Sequence, residues 1–213
     1  MIPEKAEILG LLCSDGNYRK YDANFIEYDK RRHNSYNRKQ TKRIIEFANT
    51  NIKLLEVFQS LLNTTYSYRP NITISNHDVF RVCVVKNSVV DDILRYTILG
   101  TEKWFVPKVI LNGNKTVKSA FIRGFFDGDG CIDFVDNRTP RIRITSTNLK
   151  GLKQIRGMLE NFEIDCKING PYERTNKRKS YEILLKTDSV EKFIKCIGSN
   201  HPKKKERLLR LIK

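Results

Sequence analysis

The chain has 213 residues, 39% of them apolar, which suits one large or two small domains with real cores and excludes wholesale disorder. Forty Lys and Arg against 24 Asp and Glu leave a net charge of +16, divided as +7 over residues 1–120 and +9 over 121–213. The excess is therefore not a basic tail, and it suits a folded surface that follows a long polyanion.

Pro3, Glu4 and Glu7 suit the first turn of a helix that runs through Leu12 and ends near Gly16. Asn17–Tyr28 alternates aromatic and polar residues and is predicted as a strand. Asp29–Gln40 is rich in Lys and Arg and is predicted as a long hairpin tip before a second strand, Thr41–Asn49. Asn51–Leu62 has helical spacing, with Thr50 or Asn51 as cap. Two more strands are expected at Thr65–Ser75 and Val79–Lys86, joined by the turn Asn76-His77-Asp78. A helix capped by Ser88 is expected to run to Leu99 and stop at Gly100. A linker segment follows, Trp104–Leu111 around Pro107, and then a turn at Asn112-Gly113-Asn114.

The second half repeats this order. A helix from Thr116 or Ser119 ends at Asp127–Gly130, and Cys131–Val135 with Arg141–Thr145 forms a hairpin. Thr147–Asn161 is predicted helical, Ile164–Tyr172 and Tyr181–Lys186 extended. Asp188 or Ser189 caps a helix to Ile197, and a basic helix closes the chain at Lys203–Lys213. The expected class is α+β, with two pseudo-symmetric αββαββα halves: 1–111, a linker at 112–118, and 119–213. Two downstream pairs of anchors, around Asn51 and Asn148 and around Lys86 and Lys186, support the repeat. From Asp15 to Asn51 is 36 residues and from Asp129 to Asn148 is 19, so the first hairpin holds the extra length.

The strongest internal match is between Ile8-Leu9-Gly10-Leu11-Leu12-Cys13-Ser14-Asp15-Gly16 and Ile122-Arg123-Gly124-Phe125-Phe126-Asp127-Gly128-Asp129-Gly130. A glycine in mid-helix costs about 0.5–1 kcal/mol relative to alanine. Found in both helices, Gly10 and Gly124 point to a close helix–helix contact on a pseudo-two-fold axis. Asp15 and Asp129 then arrive side by side at two helix C-termini, which are already negative. Each carboxylate also makes the other harder to ionise. A hard divalent cation would resolve the conflict. Mg²⁺ takes one or two carboxylates, keeps water, and is completed by substrate phosphate. In a basic protein this points to metal-assisted hydrolysis of two phosphodiesters, one per strand.

Both stretches resemble the LAGLIDADG motif that names a family of homing endonucleases. The second copy is close to the pattern; the first has Cys13 where Asp is usual. The resemblance extends from residue 6 to about residue 210 and implies a saddle of two curved antiparallel sheets that binds duplex DNA across the paired motif helices. It implies metal binding by Asp15 and Asp129, with the carbonyls of Ser14 and Gly128 as further ligands. It also implies polar residues that position water, here Asn49 and Ser146. Basic residues supporting the scissile phosphates correspond to Lys103 and to Lys203 or Lys205, and Lys86 and Lys186 match each other.

Strand alternation assigns a reading face. It carries Arg19 and Tyr21 in the first half and Arg141, Arg143 and Asn137 in the second, and arginine can grip guanine edges in the major groove. Arg31, Arg32, Arg38, Lys39, Arg174, Lys177, Lys86 and Lys186 complete the expected DNA contacts. The expected protein is a Mg²⁺-dependent (or other divalent-cation-dependent) endonuclease. It is expected to act as a monomer, cutting both strands of a long, non-palindromic target that the first half contacts more extensively. The alternative is a non-cleaving DNA- or RNA-binding protein of the same fold, a maturase or regulator; keeping both aspartates favours the enzyme. The initial Met, the terminal Leu-Ile-Lys and the lack of splicing blocks favour a free-standing or intron-encoded enzyme over an intein. Five cysteines without a CxxC pair, and no apolar run of ~18 residues, fit an intracellular protein without a membrane span.

Overall fold

The computed structural model describes residues 1–29, 31, 33–74, 78–135, 139–173 and 178–211. The first half consists of α1 (Pro3–Asp15), β1 (Gly16–Asp29), β2 (Asn34–Asn49), α2 (Ile52–Tyr66), β3 (Ile72–Ile74), β4 (Phe80–Val84) and α3 (Asn87–Leu94). A short α4 (Lys108–Leu111) leads to the second half. There follow α5 (Lys115–Asp129), β5 (Gly130–Val135), β6 (Thr139–Ser146), α6 (Leu149–Glu160), β7 (Cys166–Glu173) and β8 (Lys179–Leu185). A 3₁₀ turn at Thr187–Ser189, α7 (Val190–Cys196) and α8 (Pro202–Arg210) close the chain. The two antiparallel sheets have the same topology, β1-β2-β4-β3 and β5-β6-β8-β7. The class is α+β with two pseudo-symmetric halves, as the repeat predicts. Among the described residues, no helix is long and apolar enough to cross a membrane.

The motif helices α1 and α5 form the seam. From Ala6 to Cys13 every residue of α1 is buried, because, Glu7 apart, this stretch is apolar on every side and has no face to give to water. A methyl group on Gly10 would collide with the carbonyl of Phe121, and one on Gly124 with the carbonyl of Glu7. The two glycines therefore let the backbones touch reciprocally. Glu7 is charged yet only 2% exposed. Arg123 of the other half binds it (2.7 Å) and the Asn200 side chain donates to it (2.5 Å), so the buried carboxylate is paired.

The cores lie between sheet and helices. In the first half Ile45, Phe47, Val82 and Val84 point inward; Ile132, Ile142, Ile144 and Ile183 do so in the second. The helices start where the sequence offers caps: Asn51 accepts from the Lys53 N–H and Asn148 from the Gly151 N–H.

Four element assignments are corrected. Most of the expected tip, Asp29–Gln40, is strand: β1 and β2 pair from Gly16↔Phe47 to Asp29↔Asn34. The alternation there is of polar and charged residues, which hides a strand with no core to face. The expected strand Thr65–Ser75 is mostly absent, since α2 runs to Tyr66 and β3 holds three residues. The helix expected to reach Leu99 ends at Leu94. The presumed linker segment Trp104–Leu111 is half core, with the Trp104 ring 4.6 Å from that of Phe125 and 3% exposed.

Candidate active site

Asp15 ends α1 and Asp129 ends α5. Because the glycines draw these helices together, their C-termini meet. A Cβ on Gly128 would lie 2.8 Å from the Asp15 carboxylate and would strike the Ser14 side chain. The position therefore takes glycine because the Ser14 side chain of the opposite helix, and behind it the Asp15 carboxylate, fill the space. Burial holds the Asp15 carboxyl above the usual carboxylate range; Lys204 and a hydrogen bond from Asn49 oppose this. The Asn49 amide reaches Asp15 over 3.4 Å. Asp129 opens onto a cleft of about 270 Å³, lined also by Ser14, Gly16, Thr101, Thr145 and Ser146. Asn49 and Ser146 hold equivalent places: each accepts the N–H of the residue two further on, Asn51 (2.9 Å) and Asn148 (3.2 Å).

One lysine dominates the electrostatics. Lys204 Nζ donates to the carbonyls of Phe126 (2.7 Å), Asp127 (2.8 Å) and Gly128 (3.0 Å). These carbonyls belong to the last turn of α5, where a cation is favoured; that of Phe126 also accepts from the Gly130 N–H. Burial pushes the Lys204 ammonium down to about 8, against the pull of Asp127, Asp15 and Asp129. The sequence expectation names Lys203 or Lys205 and does not single out Lys204. His201 caps α8, and Leu208 is buried one turn after Lys204. Helix phase thus turns Lys204 inward and leaves Lys203 and Lys205 exposed. The buried Leu208 four residues on was the signal that could have identified it.

The motif's sixth position differs between the halves. Asp127 accepts from the Ser199 hydroxyl and the Asn200 N–H (2.9 Å), tying α5 to the loop before α8, and burial raises it to about 6. Cys13 instead meets the Thr97 hydroxyl at 3.7 Å. Burial pushes its thiol up to about 12, against the hydrogen bond with Thr97.

The remaining expected site residues are dispersed. Lys103 is exposed and lines an open cleft with Gly100, Thr101 and Arg178, next to the acids' own cleft. Lys86 stands 5.9 Å over the Tyr68 ring and Lys186 pairs with Asp165 at 3.1 Å, so both serve local contacts. On the outer sheet faces Arg19 binds Glu46 (2.5 Å), while Arg141 grips Asp133 through Nε (2.8 Å) and a terminal nitrogen (2.7 Å). Arg143 bonds Asp133 (2.6 Å) and Glu182 (3.3 Å). The Arg141 hydrogen bond is the main cause that holds Asp133 below the usual carboxylate range. Tyr21 is exposed beside them. On the extended ribbon Arg38 pairs with Glu27 (3.0 Å), Lys39 alternates onto the opposite face, and Arg31 sits at the exposed turn. Arg32, Asn137, Arg174 and Lys177 lie outside the described residues.

The donor set decides which cation could sit here. Two carboxylates and helix-end carbonyls are hard oxygen ligands. Among the described residues no group of three or more His, Cys, Asp or Glu forms a metal cage. The set therefore fits Mg²⁺ or a similar ion that keeps water and takes phosphate oxygens, and does not fit a closed structural zinc site.

Residues 116–198 match the family described as the LAGLIDADG-like domain, and the first half repeats that fold. The second half therefore carries a LAGLIDADG-like domain. The chain as a whole has the fold of I-DmoI in complex with DNA and calcium, at a TM-score of 0.66 with 15% identity, covering 98% of this chain and 97% of that one. It is likewise similar to the I-LtrWI LAGLIDADG homing endonuclease bound to target DNA, with a TM-score of 0.61 and 12% identity over 99% of this chain and 90% of that one. Among curated proteins it is 23% identical to the ribonucleoside-diphosphate reductase NrdEB subunit alpha of Bacillus subtilis, over 85% of this chain and 16% of that protein. A probable translation initiation factor IF-2 of Methanocaldococcus jannaschii is 30% identical over 50% of this chain and 9% of that protein. The chain thus spans under a fifth of those relatives.

Proposed function

We propose that this chain is a sequence-specific endonuclease that hydrolyses phosphodiesters on both strands of a long, non-palindromic DNA duplex. The observation that carries this reading is the meeting of Asp15 and Asp129 at two adjoining helix ends. The I-DmoI and I-LtrWI structures, solved with DNA, support duplex DNA as the partner. The net charge of +16 supports a polyanionic ligand. Asp15 and Asp129, with the Ser14 and Gly128 carbonyls, are the residues that would hold divalent cations. Such an ion activates water and stabilises charge on phosphate oxygens. In this chain Asn49 and Ser146 orient groups beside the acids, and Lys204 sets the charge at the end of α5.

The test is incubation with a plasmid library of candidate sites in Mg²⁺, Ca²⁺ and EDTA. Site-specific double-strand cuts in Mg²⁺ alone are expected, and both Asp15→Asn and Asp129→Asn are expected to abolish them while leaving site binding in place. An aspartate variant that still cuts both strands normally would sink the reading. A second reading, binding without cleavage, is favoured by one observation: the Gly128 carbonyl already accepts from the Lys204 ammonium. Tight site-specific binding with no cutting in any divalent ion would select it.

A further inference from the structure

One stripe of α5 fastens the segment that leads into α8. Ser119, Arg123 and Asp127 follow one another at four-residue spacing and so share a face of the helix. The Ser119 hydroxyl donates to the Cys196 carbonyl (2.6 Å) and the Arg123 guanidinium to that of Ile197 (3.4 Å). Asp127 accepts from the Ser199 hydroxyl and from the Asn200 N–H (2.9 Å). Residues 196–200 therefore run along α5 as a strap, and Lys204 follows on the carbonyls at its end. The Asn200 side chain reaches the other way. It donates to Glu7 of α1 (2.5 Å), the same carboxylate that Arg123 binds (2.7 Å). A first-half carboxylate thus holds the strap that carries the second half's lysine.

The seam does not need this polar group for packing. Gly10 matches Gly124, so Phe121 takes the place of Glu7 across the pseudo-two-fold axis and Leu9 that of Arg123. Both are fully buried there. Buried ion pairs are commonly no more stable than apolar residues of similar volume. Cys13 stands where Asp127 does, and meets Thr97 where Asp127 meets Ser199. Ile98 then follows Thr97 as Asn200 follows Ser199, and its side chain has no amide to offer. The polar ties lie on the side that carries Lys204. Of its own residues α8 buries Leu208 alone, so the strap before it sets where the lysine falls.

We propose that Asn200 and Glu7 are positioning residues for Lys204: Glu7 of the first half, through Asn200, sets where the second half's lysine meets the end of α5. The inference rests on the endonuclease reading above. Removing the Asn200 side chain leaves Lys204 and both acids in the protein and frees the strap from α1. A displacement of about 1 Å at a reacting centre can cost about 10²-fold in rate. Duplex affinity comes from many phosphate contacts spread over the surface, and none of them passes through Asn200. The change therefore acts on the rate of cutting and not on binding.

The test is a double-mutant cycle on single-turnover cleavage by the full chain in Mg²⁺. The substrate is a duplex that the wild type selects from a randomised library, and binding to it in Ca²⁺ is measured alongside. Asn200→Ala is expected to slow cleavage about tenfold with binding unchanged. In the Lys204→Met background the same substitution is expected to cost nothing further, since residues that act through one another are not additive. The pair Glu7→Met with Arg123→Leu gives the seam the apolar character it has across the axis. It is expected to fold, as circular dichroism reads, and to slow cleavage as Asn200→Ala does; it also covers misfolding of the alanine variant. A folded variant that cuts at the wild-type rate, or an equal loss with and without Lys204, would overturn the positioning role. A wild type that cuts no duplex would overturn the endonuclease reading, and the positioning role with it.

Discussion

At the residue scale, Lys204 separates the two helix ends. Its ammonium closes the last turn of α5, and among the described residues no lysine is bonded in the same way at the end of α1. Replacing Lys204 by Met removes a preorganised cation beside both acids, and such a loss commonly costs 10²–10³ in rate. Cleavage is expected to fall by about 10²-fold for Lys204→Met, whereas Lys203→Met, facing solvent, should stay within a few fold of wild type. Equal losses for both in single-turnover assays would remove Lys204 from the site. Asp133 makes a different prediction, in pH. Its folded carboxyl is held down chiefly by Arg141, so its contribution is present above its unfolded value, about 3.9, and is lost as pH falls through the folded one. The stability gap between wild type and Asp133→Asn should therefore shrink on acidification below about pH 4. Chemical denaturation at several pH values checks this; a gap that widens toward low pH would contradict it.

At the element scale, the seam is the part least able to absorb change. Gly10→Ala or Gly124→Ala pushes a methyl group into the facing backbone. Overpacking of this kind costs about 1–3 kcal/mol, and backbone gives way less readily than a side chain. Urea denaturation should register a loss in at least that range, and a neutral result would mean that the helices are further apart than described. This seam was legible in the sequence because its information is local and doubled: two glycines and two acids in register. The long hairpin was legible in length but not in form. The spacing of Asp15 and Asn51 placed the insertion, yet β1 and β2 run 14 and 16 residues against 6 and 8 for β5 and β6. A ribbon that projects past its core carries no apolar alternation to reveal it. Lys204 was missed for the opposite reason. Three consecutive lysines look alike in sequence, and only the phase of α8, fixed by His201 and Leu208, tells them apart. The pairing of Glu7 with Arg123 joins residues 116 apart, and no pattern along the chain announces it.

At the scale of the whole molecule, the net charge of +16 predicts steep salt dependence. A protein making 6–10 phosphate contacts loses about 10³–10⁵ in affinity between 50 and 200 mM salt. Duplex binding measured by anisotropy over that range should fall at least about 10³-fold, and a flat response would argue against phosphate tracking. The two halves share a topology, a register and a packing seam, yet they differ at Cys13 and Asp127 and in hairpin length. A dimer of identical subunits has no such freedom, since any side chain placed at one helix end appears at the other. Joining both halves in one polypeptide lets each be altered without copying the change across the axis. A substitution that retargets the second sheet leaves the first untouched, so the molecule can be adapted to a new sequence one half at a time.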